Sequence, residues 1–103
     1  MVMVVEEERL DASVAGEFRD AVVKVAADGT EQLVLDLAVV SFVDSTGLGA
    51  MVSGLKALPQ GGAMVLCNVG ETVAALLHLT RMDKVLAVHP DRAAALSSIL
   101  VSC

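Results

Sequence analysis

The chain reads Asp44-Ser45-Thr46-Gly47-Leu48-Gly49 near its middle, and this hexapeptide separates two stretches with different patterns. The stretch before it, residues 33–43, is mostly apolar, as is typical of a strand buried between helices. The stretch after it, residues 48–58, carries apolar residues at helical spacing. The order predicts a strand, a short connection and then a helix that begins close to Ser45 and Thr46.

Ser45 and Thr46 therefore lie at a predicted helix N-terminus. The first backbone N–H groups of a helix have no partner inside the helix, and the helix dipole is positive there. An added phosphate is tolerated electrostatically at such a place, so the segment is a candidate phosphorylation switch. A plain helix cap is the simpler alternative, and the local pattern leaves both interpretations open.

Composition excludes several classes of function. The 103 residues carry 7 Lys and Arg against 13 Asp and Glu, a net charge of −6, which disfavours neutralising the phosphates of a nucleic acid. No apolar run is long enough to span a bilayer, and residues 1–5 lack the basic segment of a signal peptide. We therefore expect a cytoplasmic protein that neither binds nucleic acid directly nor inserts into a membrane.

The sequence offers little for catalysis or metal binding. Ser45 does not lie in the Gly-x-Ser-x-Gly turn of hydrolases. His78 and His89 are the only imidazoles, and their neighbours favour structural positions. Cys67 lies in an apolar run and Cys103 is the last residue, so neither belongs to a zinc-binding cluster. We expect a protein that is not an enzyme and has neither a metal site nor a catalytic residue.

Strand and helix patterns alternate along the chain, which predicts an α/β sheet layered with helices. Gly47 and Gly49 do not form a phosphate-binding loop, and we expect them to allow a helix to approach the sheet closely. Strand patterns occupy residues 2–5, 33–37, 63–69 and 85–88, and helix patterns follow Asp11, occupy residues 48–58 and 71–80, and begin again at Pro90.

The chain resembles the STAS domain, in particular the stand-alone anti-sigma factor antagonists of bacteria. The segment Phe42 to Gly49 matches the family's Phe-x-Asp-Ser-Ser/Thr-Gly-Leu-Gly signature. Segments 33–37, 64–69 and 76–85 also match, and the resemblance covers roughly residues 8–100. It implies an α/β fold: a single STAS-like domain over residues 1–103, with a mixed four- to five-stranded sheet layered with about four helices.

The resemblance also implies a mechanism. The unphosphorylated form would bind an anti-sigma factor that is also a serine kinase, thereby releasing a sigma factor. Phosphorylation of Ser45 would end this binding, and a metal-dependent Ser/Thr phosphatase would reset the protein. The kinase holds the ATP, so the chain itself needs no cofactor. By motif, the implied switch surface consists of Asp11, Asp44, Ser45, Thr46, Gly47 and Leu48.

The N-terminus departs from the family pattern. Glu8 replaces the glycine of the family's Gly-x-Leu-Asp segment, and only ten residues precede Asp11, where the family usually has a hairpin. We expect an open sheet edge, which leads either to a homodimer through this edge or to a true start upstream. A rival interpretation is a STAS subunit that regulates a membrane transporter ATPase complex without phosphorylation.

Overall fold

The computed structural model describes residues 1–100, so Cys103 lies outside the described residues. A short 3-10 helix, Met82–Lys84, follows the third α-helix. In chain order the other elements are β1 (Val2–Val4), β2 (Arg9–Leu10), α1 (Ala12–Ala27), β3 (Gln32–Asp36), β4 (Phe42–Val43), α2 (Ser45–Ala57), β5 (Ala63–Cys67), α3 (Glu71–Leu79), β6 (Ala87–His89) and α4 (Arg92–Leu100).

The central sheet has four strands in the order β1-β3-β5-β6, and β1 and β6 are its edges. Four of the five β3 residues, Leu33 to Asp36, are buried. This matches the nearly continuous apolar pattern expected of a strand that helices cover on both faces. The predicted strand at residues 33–37 is thus confirmed as the inner strand that neighbours β1.

A second, very short ladder pairs β2 with β4 and brings the two halves of the candidate site together. Arg9 lies beside Phe42, and Leu10 lies beside Val43. The chain continues from Leu10 into α1 and from Val43 into α2. The N-termini of these two helices are therefore neighbours.

The hydrophobic core lies on both faces of the central sheet. The larger cluster includes Leu35, Met51 and Leu77, and it packs the sheet against the first three helices. The smaller cluster joins Val34 and Val65 to Ala95 and Ile99 of α4. Neighbouring residues 34 and 35 point to opposite faces, as successive side chains of a strand must.

The predicted α/β class is confirmed, with four helices and a four-stranded sheet. The recorded pairings of residues 1–100 are all parallel, so the mixture of strand directions that we expected is corrected. β1 and β2 do not form a hairpin, because β2 pairs with β4 rather than with β1. Within the central sheet, β3, β5 and β6 each come after a helix, which returns the chain to the end where the preceding strand of this sheet began.

Three predicted boundaries are wrong by two residues. The strand predicted over residues 63–69 ends at Cys67, because Asn68 has a φ of 55° and leaves the extended conformation. The last helix begins at Arg92 rather than at Pro90, because the Asp91 side chain accepts a hydrogen bond from the Ala94 N–H at 2.8 Å and acts as the cap. The last strand begins at Ala87 rather than at residue 85, because Val85 donates its N–H to the Met82 carbonyl in a turn.

Among the described residues, no helix is both long enough and apolar enough to cross a membrane.

Candidate functional site

Ser45 is the first residue of α2, and its side chain is exposed to solvent. The helix begins here because Asp44 has an extended backbone and its carboxylate accepts a hydrogen bond from the Gly47 N–H at 2.9 Å. The amides of Ser45 and Thr46 precede the first helical hydrogen bond, so α2 supplies no carbonyl for them. The Ser45 hydroxyl thus lies at the positive end of a 13-residue helix.

Gly47 fixes the distance between α2 and β2. A Cβ atom at this position would clash with the Leu10 carbonyl oxygen and would lie 3.0 Å from the Leu10 carbonyl carbon. The Asp44 N–H donates to the same Leu10 oxygen at 3.4 Å. Only glycine permits this approach, which confirms the prediction for Gly47. The same prediction for Gly49 is wrong, since a Cβ there would meet nothing within 4 Å.

Asp11 follows Leu10 directly and caps α1, as Asp44 caps α2. Its carboxylate accepts hydrogen bonds from the Ser13 hydroxyl at 2.6 Å, from the Ser13 N–H at 3.0 Å and from the Arg9 guanidinium at 3.2 Å. The pKa of Asp11 is held below its ordinary value, most strongly by the hydrogen bond from the Ser13 hydroxyl, next by the one from the Ser13 amide, and also by Arg9. Asp11 is therefore a fixed negative charge beside the start of α2.

Arg9 and Phe42 form an exposed pair beside Asp11, which the sequence did not reveal. The Arg9 guanidinium carbon lies 4.1 Å from the centre of the Phe42 ring, within the range of a cation–π contact. The pairing depends on two strands of two residues each, which are too short to leave a recognisable sequence pattern. A planar cation over an exposed ring is a common anchor in protein interfaces.

A shallow groove between α1 and α2 extends from Thr46 along the molecular surface. Its floor is formed by small side chains, so a partner could approach the backbone of both helices. Its lining consists of Ala12, Ala15, Gly16, Arg19, Thr46, Gly49, Ala50 and Ser53.

With this geometry in place, the match to a known family can be judged over nearly the whole chain. The family model of the STAS domain matches residues 1–95. The chain belongs to the STAS domain family.

Relatives of this STAS domain include proteins named anti-sigma factor antagonists. The anti-sigma-B factor antagonist of Staphylococcus epidermidis is 33% identical over 81 residues, which are 78% of this chain and 75% of that protein. The crystal structure of an anti-sigma factor antagonist from Mycobacterium paratuberculosis has a TM-score of 0.84 at 28% identity, over 94% of this chain and 82% of that one.

A protein of a transporter family has the same fold. The crystal structure of a sulfate transporter family protein from Wolinella succinogenes has a TM-score of 0.81 at 18% identity, over 99% of this chain and 87% of that one. This likeness shows a shared fold only, so the fold alone does not separate the two roles considered above.

The structure brings the predicted switch residues together at the adjacent starts of α1 and α2. Ser45 and Thr46 are exposed, and Asp11, Asp44 and Leu48 are partly buried. Gly47 is buried, so within this surface it acts as a spacer. Their part in a switch stays a prediction.

A second polar cluster at the end of β3 was also missed by the sequence reasoning. The buried Asp36 carboxylate accepts hydrogen bonds from the Ala38 N–H at 3.0 Å, the Asn68 amide at 3.2 Å and the Arg92 guanidinium at 3.0 and 3.1 Å. Burial alone raises the pKa of Asp36, but these bonds outweigh it and hold the pKa below its ordinary value. The cluster joins β3 to the start of α4.

The neighbouring Cys67 thiol is buried, as the sequence predicted. Burial is the main cause that raises the pKa of Cys67, and the negative charge of Asp36 raises it further. The thiolate is the reactive form of cysteine, so this environment favours an inert side chain.

Proposed function

We propose that this STAS domain is an anti-sigma factor antagonist that acts in the cytoplasm by binding rather than by catalysis. The unphosphorylated form binds an anti-sigma factor with serine kinase activity and so releases a sigma factor. Phosphorylation of Ser45 prevents the binding, and a Ser/Thr phosphatase restores it. The observation that carries the proposal is the exposed Ser45 hydroxyl at the start of α2, within a chain similar to named antagonists.

The position of Ser45 suits a residue that is modified without unfolding. A kinase needs an exposed hydroxyl and room for its own active site, and the first residue of a helix projects from the end of the element. The positive end of α2 and the early amides of the helix favour an added phosphate. We therefore expect the phosphorylated chain to keep its fold.

The charge around Ser45 supports the off state. Phosphoserine adds about −1.5 to −2 charges near neutral pH. Asp44 directly precedes Ser45, and Asp11 caps the neighbouring helix α1, where its hydrogen bonds, one of them from Arg9, hold it ionised. A partner that meets this surface with acidic or apolar groups is repelled or must desolvate the phosphate. Each tenfold loss of affinity needs only about 1.4 kcal/mol.

The rival role is that of a STAS subunit in a membrane transport complex, where Ser45 would not be phosphorylated. The shared fold permits it, whereas the identity to the curated antagonists favours the switch. The identity of the neighbouring genes distinguishes the two roles. A kinase or sigma factor gene supports the phosphorylation switch, and permease and ATPase genes support the subunit of a transport complex.

Phosphate mapping tests the acceptor. The chain should be incubated with ATP and the serine kinase encoded nearest to its gene, and the product analysed by mass spectrometry. We expect one phosphate on Ser45, its loss in Ser45→Ala and its retention in Thr46→Ala. A phosphate that maps to Thr46, or persists in Ser45→Ala, contradicts the assignment.

Partner capture tests the switch itself. Wild type, Ser45→Asp and the matched control Ser97→Asp, which adds the same charge on the exposed part of α4, should be used as baits in native lysate. We expect wild type and Ser97→Asp to retain an anti-sigma factor, and Ser45→Asp to lose it. Equal retention by all three baits rejects the switch, and retention of transporter subunits supports the rival.

A further inference from the structure

The last residue of α3 is a leucine whose side chain projects into solvent. The Leu79 side chain is 79% exposed, more than any other large apolar side chain in the described residues. It borders one shallow depression together with Arg81 and Lys84. We call these three residues the Leu79 turn. A single exposed leucine is common in proteins and is not by itself a binding site.

The turn is held in one conformation. The Thr80 hydroxyl donates to the Leu76 carbonyl at 2.8 Å, and the Arg81 N–H donates to the His78 carbonyl at 3.1 Å. Arg81 has a φ of 60°, in the left-handed region that long side chains rarely adopt. Met82 then packs against the core. The backbone that carries Leu79 and the adjacent cations is thus fixed, which lowers the backbone entropy lost on binding.

The Leu79 turn carries net positive charge in a chain whose net charge is −6. Arg81 and Lys84 are exposed cations. Asp83 lies between these two cations in sequence and offsets part of their charge. Its carboxylate lies 3.2 Å from the His78 ring nitrogen. The surface therefore combines an apolar projection with two cations.

The opposite edge of the sheet has the complementary features. A cleft of about 220 Å³ opens between β1 and α1, and Glu7 and Glu17 lie at its rim. Exposed Glu6 and Glu8 flank Glu7 in sequence. Two cations lie nearby: Arg9, which is bound to Asp11, and Lys24, which lies one helical turn beyond Ala21 on α1. We call it the β1–α1 cleft. Its apolar lining includes Met3, Leu10, Val14, Phe18 and Ala21.

We propose that a second copy of this chain inserts its Leu79 into the β1–α1 cleft, with Arg81 and Lys84 facing Glu7 and Glu17. The cleft lies beside β1 and the turn precedes β6, and these strands are the two opposite edges of the sheet. The contact is therefore head to tail, and each docked copy leaves one cleft and one turn free. The contact is small, so the association is weak and depends on concentration.

Direct pairing of two β1 edges accounts less well for these features. The Met1 carbonyl and the Val5 N–H form hydrogen bonds with β3. Because backbone groups alternate in direction along a strand, the N–H and carbonyl groups of Val2 and Val4 face the open edge. Two residues offer few hydrogen bonds. A symmetric pair would also bring two acidic rims together, whereas the Leu79 turn brings cations to them.

Sedimentation equilibrium over a wide range of concentration tests the contact. We expect wild type to associate, and Leu79→Ser to raise the dissociation constant about tenfold or more, the effect of losing one buried apolar side chain. Lys84→Glu should also weaken association. Val39→Ser and Lys56→Glu are matched controls outside both surfaces and should behave as wild type.

Mixing two defective variants makes the test specific to a head-to-tail contact. Leu79→Ser keeps the cleft, and Ala21→Arg fills the mouth of the cleft but keeps Leu79. At a concentration where wild type associates, each variant alone should be mostly monomeric, and their mixture should form dimers that grow no further. Circular dichroism melts check that both variants fold. Wild type that stays monomeric, Leu79→Ser that associates like wild type, or a mixture without dimers overturns the proposal.

Discussion

Two aspartates at the ends of strands differ in burial and in the number of hydrogen bonds that they accept. Asp36 ends β3, is buried, and accepts hydrogen bonds from Ala38, Asn68 and Arg92. Asp44 follows β4, is partly exposed, and accepts one from Gly47 at the start of α2. Both carboxylate oxygens of Asp36 accept hydrogen bonds in the interior. Asp44, in contrast, directly precedes the exposed Ser45.

The difference in burial identifies Asp36 as a structural residue and places Asp44 beside the candidate switch residue Ser45. A buried carboxylate with several donors is costly to disturb, because the donors lose their partner when the charge is removed. An exposed residue at a helix start can be modified at little cost to folding. The predictions that follow test whether stability depends on the end of β3 and binding depends on the start of α2.

The largest expected loss of stability comes from Leu35→Ala at the end of β3. Leu35 is fully buried in the larger core cluster, so the substitution leaves a cavity. We expect the free energy of unfolding to fall by about 2–5 kcal/mol. Thermal and denaturant melts measure it, and Val39→Ala in the exposed loop serves as the control. A change no larger than that of Val39→Ala would contradict the assigned core.

Asp36→Asn should cost less, because the amide keeps the shape and can still accept from Ala38. We expect a loss of about 1–3 kcal/mol at neutral pH, as a charged acceptor becomes neutral while Arg92 stays half exposed to water. Asp20→Asn on the surface is the control.

The effect of Asp36→Asn should depend on pH. The pKa of Asp36 is lowered in the folded state, so its contribution is complete above the ordinary value of 3.8 and is lost as the pH falls towards the folded pKa. The difference between wild type and Asp36→Asn should therefore narrow below about pH 4. A difference that stays constant across this range would show that the Asp36 charge does not stabilise the fold.

Gly47→Ala tests the spacing between α2 and β2. The added Cβ meets the Leu10 backbone, which cannot rotate away, so we expect a loss of about 1–3 kcal/mol. Gly49→Ala is the matched control, because it adds the same atom to the same helix in open space. There we expect a gain of about 0.5–1 kcal/mol from the lower flexibility of the unfolded chain. Equal effects in the two variants would refute the spacer role.

The sequence predicted elements whose signals are local. The start of α2 follows from Asp44 and the apolar spacing after it, and β3 follows from its nearly continuous apolar pattern. Contacts between distant residues were not predictable in this way. Arg92 reaches Asp36 across 56 positions, and the sequence shows only one aspartate in an apolar run. The pairing of Arg9 with Phe42 depends on a two-residue ladder, which is shorter than any periodic pattern.

Ser45→Asp should change stability least and binding most. Its carboxylate lies at the positive end of α2, where a negative charge contributes about 0.3–1 kcal/mol of stability, and the nearby Asp11 and Asp44 oppose that gain. We therefore expect melts close to those of wild type, while calorimetry with the captured anti-sigma factor shows at least about tenfold weaker binding. Ser97→Asp controls for the added charge. Weak binding together with a large loss of stability would mean that Ser45→Asp acts by unfolding the domain. Unchanged binding with unchanged stability would place the partner's contact elsewhere on the surface and leave the start of α2 as a helix cap alone.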